Sequence, residues 1–498
     1  MLAKTFVPKF VPNIILSMLL SFIYDLSTWA SILLIISLLS VCFFEAINGF
    51  HDTANAVATV IYTKALKPQV AVVWSGFMNF VGVFFGGIVM AWIMGLFGSN
   101  ADTSGIGVAM GIVKLMPVNE MLGSGLTETV SLVLAVLFAA IIWNLGTWYY
   151  GIPCSSSHTL IGSLLGAGFA FSVTHPKSTV NWQKAQEIGM SLLISPLFGF
   201  TLAVLLMYMM RVFIKSKVIF KEPDSKKAPP FWIRVVLLLT CTLVSFFHGS
   251  NDGQKGVGLL LVVMMAFMPL QFAFNPDIDT AKLKDAAIEM RTSLTSAAML
   301  DSTHAPILRA HAVNASKLIA RFDTLNRSNK EQLIAARKDI QNLNKGIKNS
   351  LKDGHISNKD LKTSIKSSSS TLAKSYEFAP FWSIVMISIC LGIGTMIGWK
   401  RIVVTIGEKI GKTHLTYAQG ASAELCAAAT IGVSTGLGLP VSTTHVLSSG
   451  IAGTMVAEGG VKNLQKKTIR NIAIAWLLTL PVTFIGGFLL FFIFKMFI

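Results

Sequence analysis

Two short polar motifs interrupt apolar segments of the chain, and each carries a carboxylate. The first is GFHDTANAV at 49–57, which follows the apolar run 30–44 and holds His51, Asp52 and Asn55. An ionisable side chain is costly to bury in a lipid-spanning segment, so it marks an ion pathway by default. A carboxylate beside an imidazole can hold and pass a proton near neutral pH. The motif therefore predicts a functional site, and we expect the helix to break there, with its backbone polar groups facing a cavity.

The second acidic motif, HGSNDGQKG at 248–256, repeats the first at an offset of 200 residues. Asp252 follows Asn251, and an imidazole stands four positions before it, so both copies offer a carboxylate, an amide and an imidazole at the same three positions. Lys255 stands where the first copy has Asn55. The two aspartates are candidate functional acids, and the alternative for one of them is a structural ion pair with Lys255.

A second pair of motifs carries hydroxyl groups: GIPCSSSH at 151–158 and GLPVSTTH at 438–445. Proline followed by a run of Ser and Thr predicts an extended entry into a helix whose first turn is capped by a hydroxyl. The start of a helix presents free N–H groups and the positive end of the helix dipole, which suits an anion. The alternatives are simple capping without a ligand and, for the histidines, a bond to a neighbouring carbonyl. The candidate anion-binding side chains are Ser155, Ser156, Ser157, His158, Ser442, Thr443, Thr444 and His445, together with Lys255.

The amino-acid composition indicates the environment in which these motifs lie. Of the 498 residues 53% are hydrophobic and only 13% charged, and the mean hydropathy is +0.64, which is typical of a polytopic membrane protein. The net charge of +17 lies in short basic runs between apolar segments, as in cytoplasmic loops, and does not indicate a nucleic-acid partner. An all-α fold with about ten to twelve membrane segments is expected. The candidate full-length spans are 29–46, 68–96, 129–149, 187–210, 232–247, 379–399, 417–436 and 471–496.

The order of the four motifs describes a duplicated fold. Acidic and hydroxyl motifs alternate along the chain, which is the arrangement of a transporter built from two repeats. Placing the basic runs 211–234, 400–412 and 462–470 inside makes the equivalent spans 68–96 and 379–399 cross in opposite senses. The sequence therefore predicts two inverted repeats with half helices between them.

An insert separates the two motifs of the second repeat. Asp52 and Pro153 are 101 residues apart, whereas Asp252 and Pro440 are 188 apart, so the second interval holds 87 more residues. The surplus lies in a polar stretch that predicts soluble amphipathic helices around 315–343. The predicted organisation is an N-terminal extension 1–28, a first repeat 29–214, a basic linker 215–231, the start of the second repeat 232–276, a soluble helical insert 277–377 and the remainder of the second repeat 378–498.

From the residues alone, the function indicated is anion transport. Two capped helix starts brought together by a pseudo-two-fold axis would surround a small oxyanion with hydroxyl and amide donors. The chain has no Walker motif and no enzyme signature, so neither ATP-driven transport nor catalysis is expected. The identity of the anion stays open at this level.

Several long stretches resemble the inorganic phosphate transporter (PiT) family, most closely its bacterial low-affinity Pit type. They are EAINGFHDTANAVATVIYTKAL at 45–66, IIWNLGTWYYGIPCSSSHTLIG at 141–162, FFHGSNDGQKGVGL at 246–259, 379–412 and GLPVSTTHVLSSGIAGT at 438–454. The resemblance implies a multi-pass bacterial inner-membrane symporter that moves phosphate with protons. It also implies phosphate carried as a neutral complex with Mg, Ca or Zn, a homodimer, and no cofactor beyond the coupling proton.

The resemblance also implies roles for particular residues. Asp52 and Asp252 match the family's coupling acids, with His51, Asn55 and Asn251 beside them. Lys255 departs from the signature, and a fixed positive charge there favours an anion and disfavours sodium. In sodium-coupled relatives a glutamate follows the first signature by one helix, and the corresponding stretch of this chain is FMNF, with Asn79 as its nearest polar residue. Sodium-coupled phosphate symport, or transport of another oxyanion, is the alternative, and the acids Glu45 and Glu424 are further candidates for a proton relay.

Overall fold

The computed structural model describes residues 26–96, 105–176, 178–224, 228–408 and 410–498, without the side chains of Asn55 and of residues 406–408. Every regular element in these ranges is a helix, as the sequence predicts. The helices of the first half are α1 (Thr28–Tyr62), α2 (Pro68–Leu96), α3 (Gly107–Val113), α4 (Val118–Gly123), α5 (Leu126–Tyr149), α6 (Ser156–Thr174) and α7 (Trp182–Phe213). Those of the second half are α8 (Phe231–Phe267), α9 (Pro269–Ala273), α10 (Thr280–Leu300), α11 (Ala305–Asp323), α12 (Lys330–Lys352), α13 (Lys359–Ala373), α14 (Phe381–Thr395), α15 (Lys400–Glu408), α16 (Tyr417–Gly436), α17 (Thr443–Gly459) and α18 (Lys466–Phe497).

Six of these helices are long and apolar enough to cross a membrane: α1, α2, α5, α7, α8 and α18. They coincide with six of the eight predicted full-length spans. The predicted span 379–399 corresponds to the shorter apolar helix α14, and 417–436 to α16, which is less apolar. The chain is thus a multi-pass membrane protein. The described residues do not test the inverted orientation of the two repeats, and it stays a prediction.

The chain divides into two compact units. Among the described residues, the membrane unit comprises those within 1–117, 127–263 and 380–498, and the insert unit comprises those within 118–126 and 264–379. The insert unit thus covers the range 277–377 and also includes 264–276, which the sequence assigns to the second repeat, and 118–126 of the first repeat. Its core is formed by the apolar faces of α10, α11, α12 and α13. The predicted amphipathic stretch is two helices, α11 and α12, with an interruption at 324–329.

The expected helix breaks at the acidic motifs are wrong. α1 runs unbroken through GFHDTANAV, and α8 runs unbroken through HGSNDGQKG. The glycines of these motifs allow close packing of the helices. A Cβ atom on Gly49 would lie 2.5 Å from the Leu391 carbonyl oxygen of α14, and one on Gly249 would lie 2.2 Å from the Asn79 carbonyl oxygen of α2. Small residues let membrane helices approach closely, so here glycine marks contact between helices.

The helix starts at the hydroxyl motifs are confirmed. Ser155 caps α6 by accepting from the backbone N–H of His158 over 3.2 Å, and Ser442 caps α17 through His445 over the same distance. Both cap residues have extended backbone conformations, as an N-cap requires. These two helices therefore begin inside the membrane unit at equivalent points of the two repeats.

Candidate substrate and coupling site

Asp52 of α1 lies at the centre of the site and joins the two helix starts. Its side chain is buried, with 2% of its surface exposed. Thr444 Oγ1, in the first turn of α17, donates to Asp52 Oδ1 over 2.6 Å, and Ser156 Oγ, in the first turn of α6, donates to Oδ2 over 3.2 Å. One carboxylate therefore takes a hydroxyl hydrogen from each of the hydroxyl motifs.

Imidazole groups stand beside this carboxylate. His51 Nδ1 lies 3.5 Å from Asp52 Oδ1, while its Nε2 lies 3.3 Å from Thr147 Oγ1. His248 Nε2 lies 3.9 Å from Asp52 Oδ2 and 3.6 Å from Asp252 Oδ2. His248 thus stands between the acids of the two repeats.

The surroundings of His248 fix its neutral tautomer. Thr395 Oγ1 donates to the Leu391 carbonyl over 2.8 Å, so it accepts from Asn79 Nδ2, also at 2.8 Å. The carbonyl oxygen of the Asn79 amide then faces His248 Nδ1 at 3.0 Å and must accept its hydrogen. In a neutral ring the Nε2 atom consequently carries no hydrogen. This Nε2 atom is the ring nitrogen that faces the carboxylates of Asp52 and Asp252.

Asp252 of α8 is held by a lysine of its own helix. Lys255 Nζ lies 2.7 Å from Asp252 Oδ1 and also donates to the Val441 carbonyl at 2.9 Å and to Ser157 Oγ. Ser157 in turn donates to the same carbonyl over 2.8 Å. The pairing of lysine and aspartate that the sequence left as an alternative is thus present. Lys255 links α8 to α6 and to the segment that precedes α17.

Two predicted coupling residues have other surroundings. The Asn251 amide donates to Thr435 Oγ1 over 3.0 Å and to the Leu439 carbonyl over 3.2 Å, and it accepts from the Val441 N–H over 3.2 Å. These contacts fix the chain that enters α17. Asn55 belongs to α1, but its side chain lies outside the described residues.

The remaining predicted anion-binding residues line the meeting point of the helix starts. The rings of His158 and His445 lie 4.5 Å apart between centroids, and the His445 ring stacks on Trp476 of α18 at 3.8 Å. His158 Nδ1 is also 2.9 Å from Ser155 Oγ. Thr443 is buried, and its Oγ1 atom has no hydrogen-bond partner among the described residues.

His248 is absent from the set of candidates that the sequence supplied. The repeat comparison contained the signal, because this imidazole takes the motif position of Asn48 in the first copy. Asp52, His248 and Asp252 each offer a ligand atom, and these atoms all lie within 4.8 Å of one another. The three residues could hold a cation that arrives with an anion.

Two further buried acids lie on helices of the membrane unit. Glu424 of α16 accepts hydroxyl hydrogens from Thr59 of α1 and Thr240 of α8. It thus links the two helices that carry the acidic motifs. Glu45 of α1 accepts from Asn48 Nδ2 over 3.5 Å, and its Oε1 atom has no hydrogen-bond partner among the described residues.

Comparison with known proteins places the chain among transporters. The sequence profile described as the Phosphate transporter family matches residues 48–487. The low-affinity inorganic phosphate transporter PitB of Escherichia coli K12 is 38% identical, covering 94% of this chain and 98% of its own. A probable low-affinity inorganic phosphate transporter of Bacillus subtilis is 30% identical over 95% of this chain and 99% of its own. A solved structure titled the sodium-dependent phosphate transporter aligns with a TM-score of 0.49 at 20% identity, covering 94% of this chain and all of that one.

Proposed function

The chain belongs to the phosphate transporter family, and we propose that it moves inorganic phosphate across the bacterial inner membrane in symport with protons, with Asp52 as the proton carrier. The relatives are named as transporters, which agrees with the absence of enzyme signatures in the sequence. The substrate follows from the relatives' names and from the two helix starts, which supply the donors that an oxyanion needs.

The observation that carries the proposal is the pair of hydroxyl bonds to Asp52 from Ser156 and Thr444. Both hydroxyls belong to first turns of helices, where an anion would be held. While they donate to an ionised carboxylate, they are not available to phosphate. A phosphate ion beside the same ionised carboxylate would also be repelled by its charge.

Protonation of Asp52 removes both obstacles. A neutral carboxyl group accepts more weakly than a carboxylate, so the hydroxyls of Ser156 and Thr444 can turn to the substrate. The loss of one negative charge lowers the electrostatic cost of bringing phosphate to the site. Proton and phosphate then bind together and leave together, which is the requirement for symport. His51 and His248 stand where they can deliver and remove that proton.

A divalent metal carried with the phosphate is a second candidate, favoured by Asp52, His248 and Asp252. Two carboxylates and an imidazole are ligands that Zn²⁺ accepts, and a metal ion would join phosphate to the acids. A neutral metal–phosphate complex would also cross a low-dielectric site at a lower cost than free phosphate.

The test is uptake of labelled phosphate into liposomes that contain the purified protein. An inward proton gradient, without sodium, should drive accumulation above equilibrium, and collapse of the gradient should abolish it. Arsenate should compete more strongly than sulfate, because it matches the charge and protonation of phosphate. Uptake that needs sodium at fixed pH would contradict proton coupling. Uptake with magnesium or zinc present and absent decides between metal–phosphate and free phosphate.

A further inference from the structure

The ammonium group of Lys255 is surrounded by oxygen atoms of three kinds. Asp252 Oδ1 lies 2.7 Å and the Val441 carbonyl oxygen 2.9 Å from Nζ, and Ser157 Oγ accepts a third hydrogen. Only 2% of the Lys255 surface is exposed, and Asp252 is wholly buried. A carboxylate, a main-chain carbonyl and a hydroxyl form the oxygen set with which proteins bind hard metal cations. Irregular backbone in transporters supplies such carbonyls to coupling ions.

This oxygen set is built into the fold and is not formed by the lysine alone. The Val441 carbonyl precedes α17 and is not engaged in that helix. Asn251 accepts from the Val441 N–H over 3.2 Å, which holds this residue in place, and Ser157 donates to the Val441 carbonyl over 2.8 Å, which orients that group. Removal of the lysine side chain would therefore leave three oxygens with one net negative charge, which suits a monovalent cation better than a divalent one.

The equivalent acid of the first repeat has a different environment. Asp52 receives hydroxyl hydrogens from Thr444 and Ser156, and the imidazoles of His51 and His248 lie beside it. Asp252 instead has a primary amine as its ion-pair partner. Asp52 can thus change its charge by binding a proton, whereas Asp252 is already paired with the cationic side chain of Lys255.

We propose that Lys255 is a tethered cation that fills a monovalent-cation site made by Asp252, Ser157 and Val441, and thereby frees the transporter from dependence on an alkali cation. This proposal rests on the proposed function and assigns the residue that decides which cation is coupled. A neutral residue at position 255 opens the site to Na⁺ or K⁺. The transporter then acquires a cation dependence that the natural protein lacks.

The test uses the full-length Lys255→Asn variant, which gives the second motif the residue of the first. Its unfolding temperature is measured in detergent in NaCl, KCl and choline chloride at equal ionic strength. We expect a saturable rise of about 2 °C or more in one alkali salt over choline, since a ligand that binds only the folded state stabilises it. We also expect phosphate uptake by this variant to be about tenfold or more faster with that cation than with choline. The natural protein should show neither difference.

Two variants serve as controls. Lys184→Asn removes a lysine that pairs with Glu187 at the surface and should leave the salt response unchanged. The double variant Asp252→Asn/Lys255→Asn removes the carboxylate from the oxygen set and should lose the response to alkali cations. The proposal is overturned if folded Lys255→Asn protein behaves identically in all three salts, or if the natural protein already responds specifically to an alkali cation.

A further variant covers failure of Lys255→Asn to fold. Lys255→Ala is then prepared in ammonium, sodium, potassium and choline salts. Recovery of folded protein in any of the first three, but not in choline, supports the proposal, and failure in all four overturns it. The outcome is separable from the proposed function, because proton-driven phosphate uptake is measured on the natural protein, whereas the cation site is read from the stability of the variants.

Discussion

The hydroxyl of Thr444 donates to Asp52 over 2.6 Å, although the two residues are 392 positions apart in the chain. Asp52 belongs to the first acidic motif and Thr444 to the second hydroxyl motif. The bond therefore joins the two halves of the duplicated chain at a buried point. It also connects the proposed proton carrier with the helix start that would hold the anion.

Replacement of Thr444 by alanine should weaken phosphate binding more than it weakens the fold. A hydrogen bond to a charged group contributes about 1.5–3 kcal/mol, which is about ten- to over a hundredfold in affinity. The measurement is the phosphate concentration that gives half-maximal uptake, together with the unfolding temperature of the same preparation. Thr444→Ser keeps the donor and should restore the affinity.

The matched control lies two positions earlier. Ser442→Ala removes the N-cap of α17 and should cost about 1 kcal/mol of stability, with a smaller effect on affinity than Thr444→Ala. If both variants lose the same affinity and the same stability, the hydroxyl of Thr444 acts only on the fold.

Asp52→Asn should abolish concentrative uptake while the protein remains folded in the membrane. The amide has the shape of the carboxyl group and can still contact Thr444 and Ser156, but it cannot take up and release a proton. We expect accumulation against a gradient to fall by a factor of about ten or more, since the coupling energy is lost. Glu187→Gln, at the surface, is the control for removal of one acid. Accumulation close to normal in the Asp52 variant would show that the proton is carried elsewhere.

The sequence identified the parts of the site whose signals are local. Proline followed by hydroxyl residues was sufficient to predict the starts of α6 and α17, because an N-cap involves residues only three apart. The repeat comparison was sufficient to pair Asp52 with Asp252. The sequence predicts the link between Lys255 and Asp252 as an alternative, since the two residues lie three apart, within reach on one helix.

Other features depend on partners that are distant in sequence. Gly49 could have marked a break or a helix contact, and only the carbonyl of Leu391 against it decides for contact. The hydrogen on His248 Nδ1 is fixed by Asn79, which belongs to another helix. The short helix α4 belongs to the insert unit through contacts such as Asn119 Nδ2 to Gln341 Oε1 at 2.8 Å. No local sequence pattern predicts these contacts.

Gly166→Ala should destabilise the membrane unit by disturbing the contact of α6 with α18. A Cβ atom there would lie 1.9 Å from the Phe484 carbonyl oxygen, so a backbone must move. Overpacking of this kind costs about 1–3 kcal/mol. The control is Gly189→Ala in α7, where a Cβ would have nothing within 4 Å and alanine improves helix propensity. The unfolding temperature should fall for the first variant and stay level or rise for the second.

The insert unit should lose stability on acidification through His311. Partial burial, followed by the nearby His355, holds the pKa of His311 below its ordinary value of 6.5. The unfolded chain therefore binds a proton more readily than the folded one. The cost of protonating His311 is absent well above pH 6.5 and grows as pH falls from there toward the lower folded pKa.

Hydrogen–deuterium exchange of α11 and α12 in the full-length protein measures this effect. At pH 5, α11 and α12 should be more strongly protected from exchange in His311→Gln than in the natural protein. Near pH 7 this difference in protection between the two proteins should be smaller. Comparison at equal pH cancels the intrinsic exchange rate. The same protection difference at both pH values would show that His311 titration does not affect the unit.

Lengthening the two acids by one methylene should separate their roles. Asp52 lies among two hydroxyls and two imidazoles, so in Asp52→Glu the carboxyl group moves relative to the groups that exchange its proton. The pH at which uptake is half-maximal should therefore shift.

In Asp252→Glu the carboxylate keeps Lys255 as its ion-pair partner within the same helix, so we expect a change mainly in phosphate or metal affinity, with a smaller change in the pH profile. The measurement is initial uptake as a function of pH at several phosphate concentrations, which separates the pH profile from affinity. A larger pH shift in the Asp252 variant would move the proton carrier to the second repeat, and the fixed positive charge of Lys255 beside that acid would then need another role.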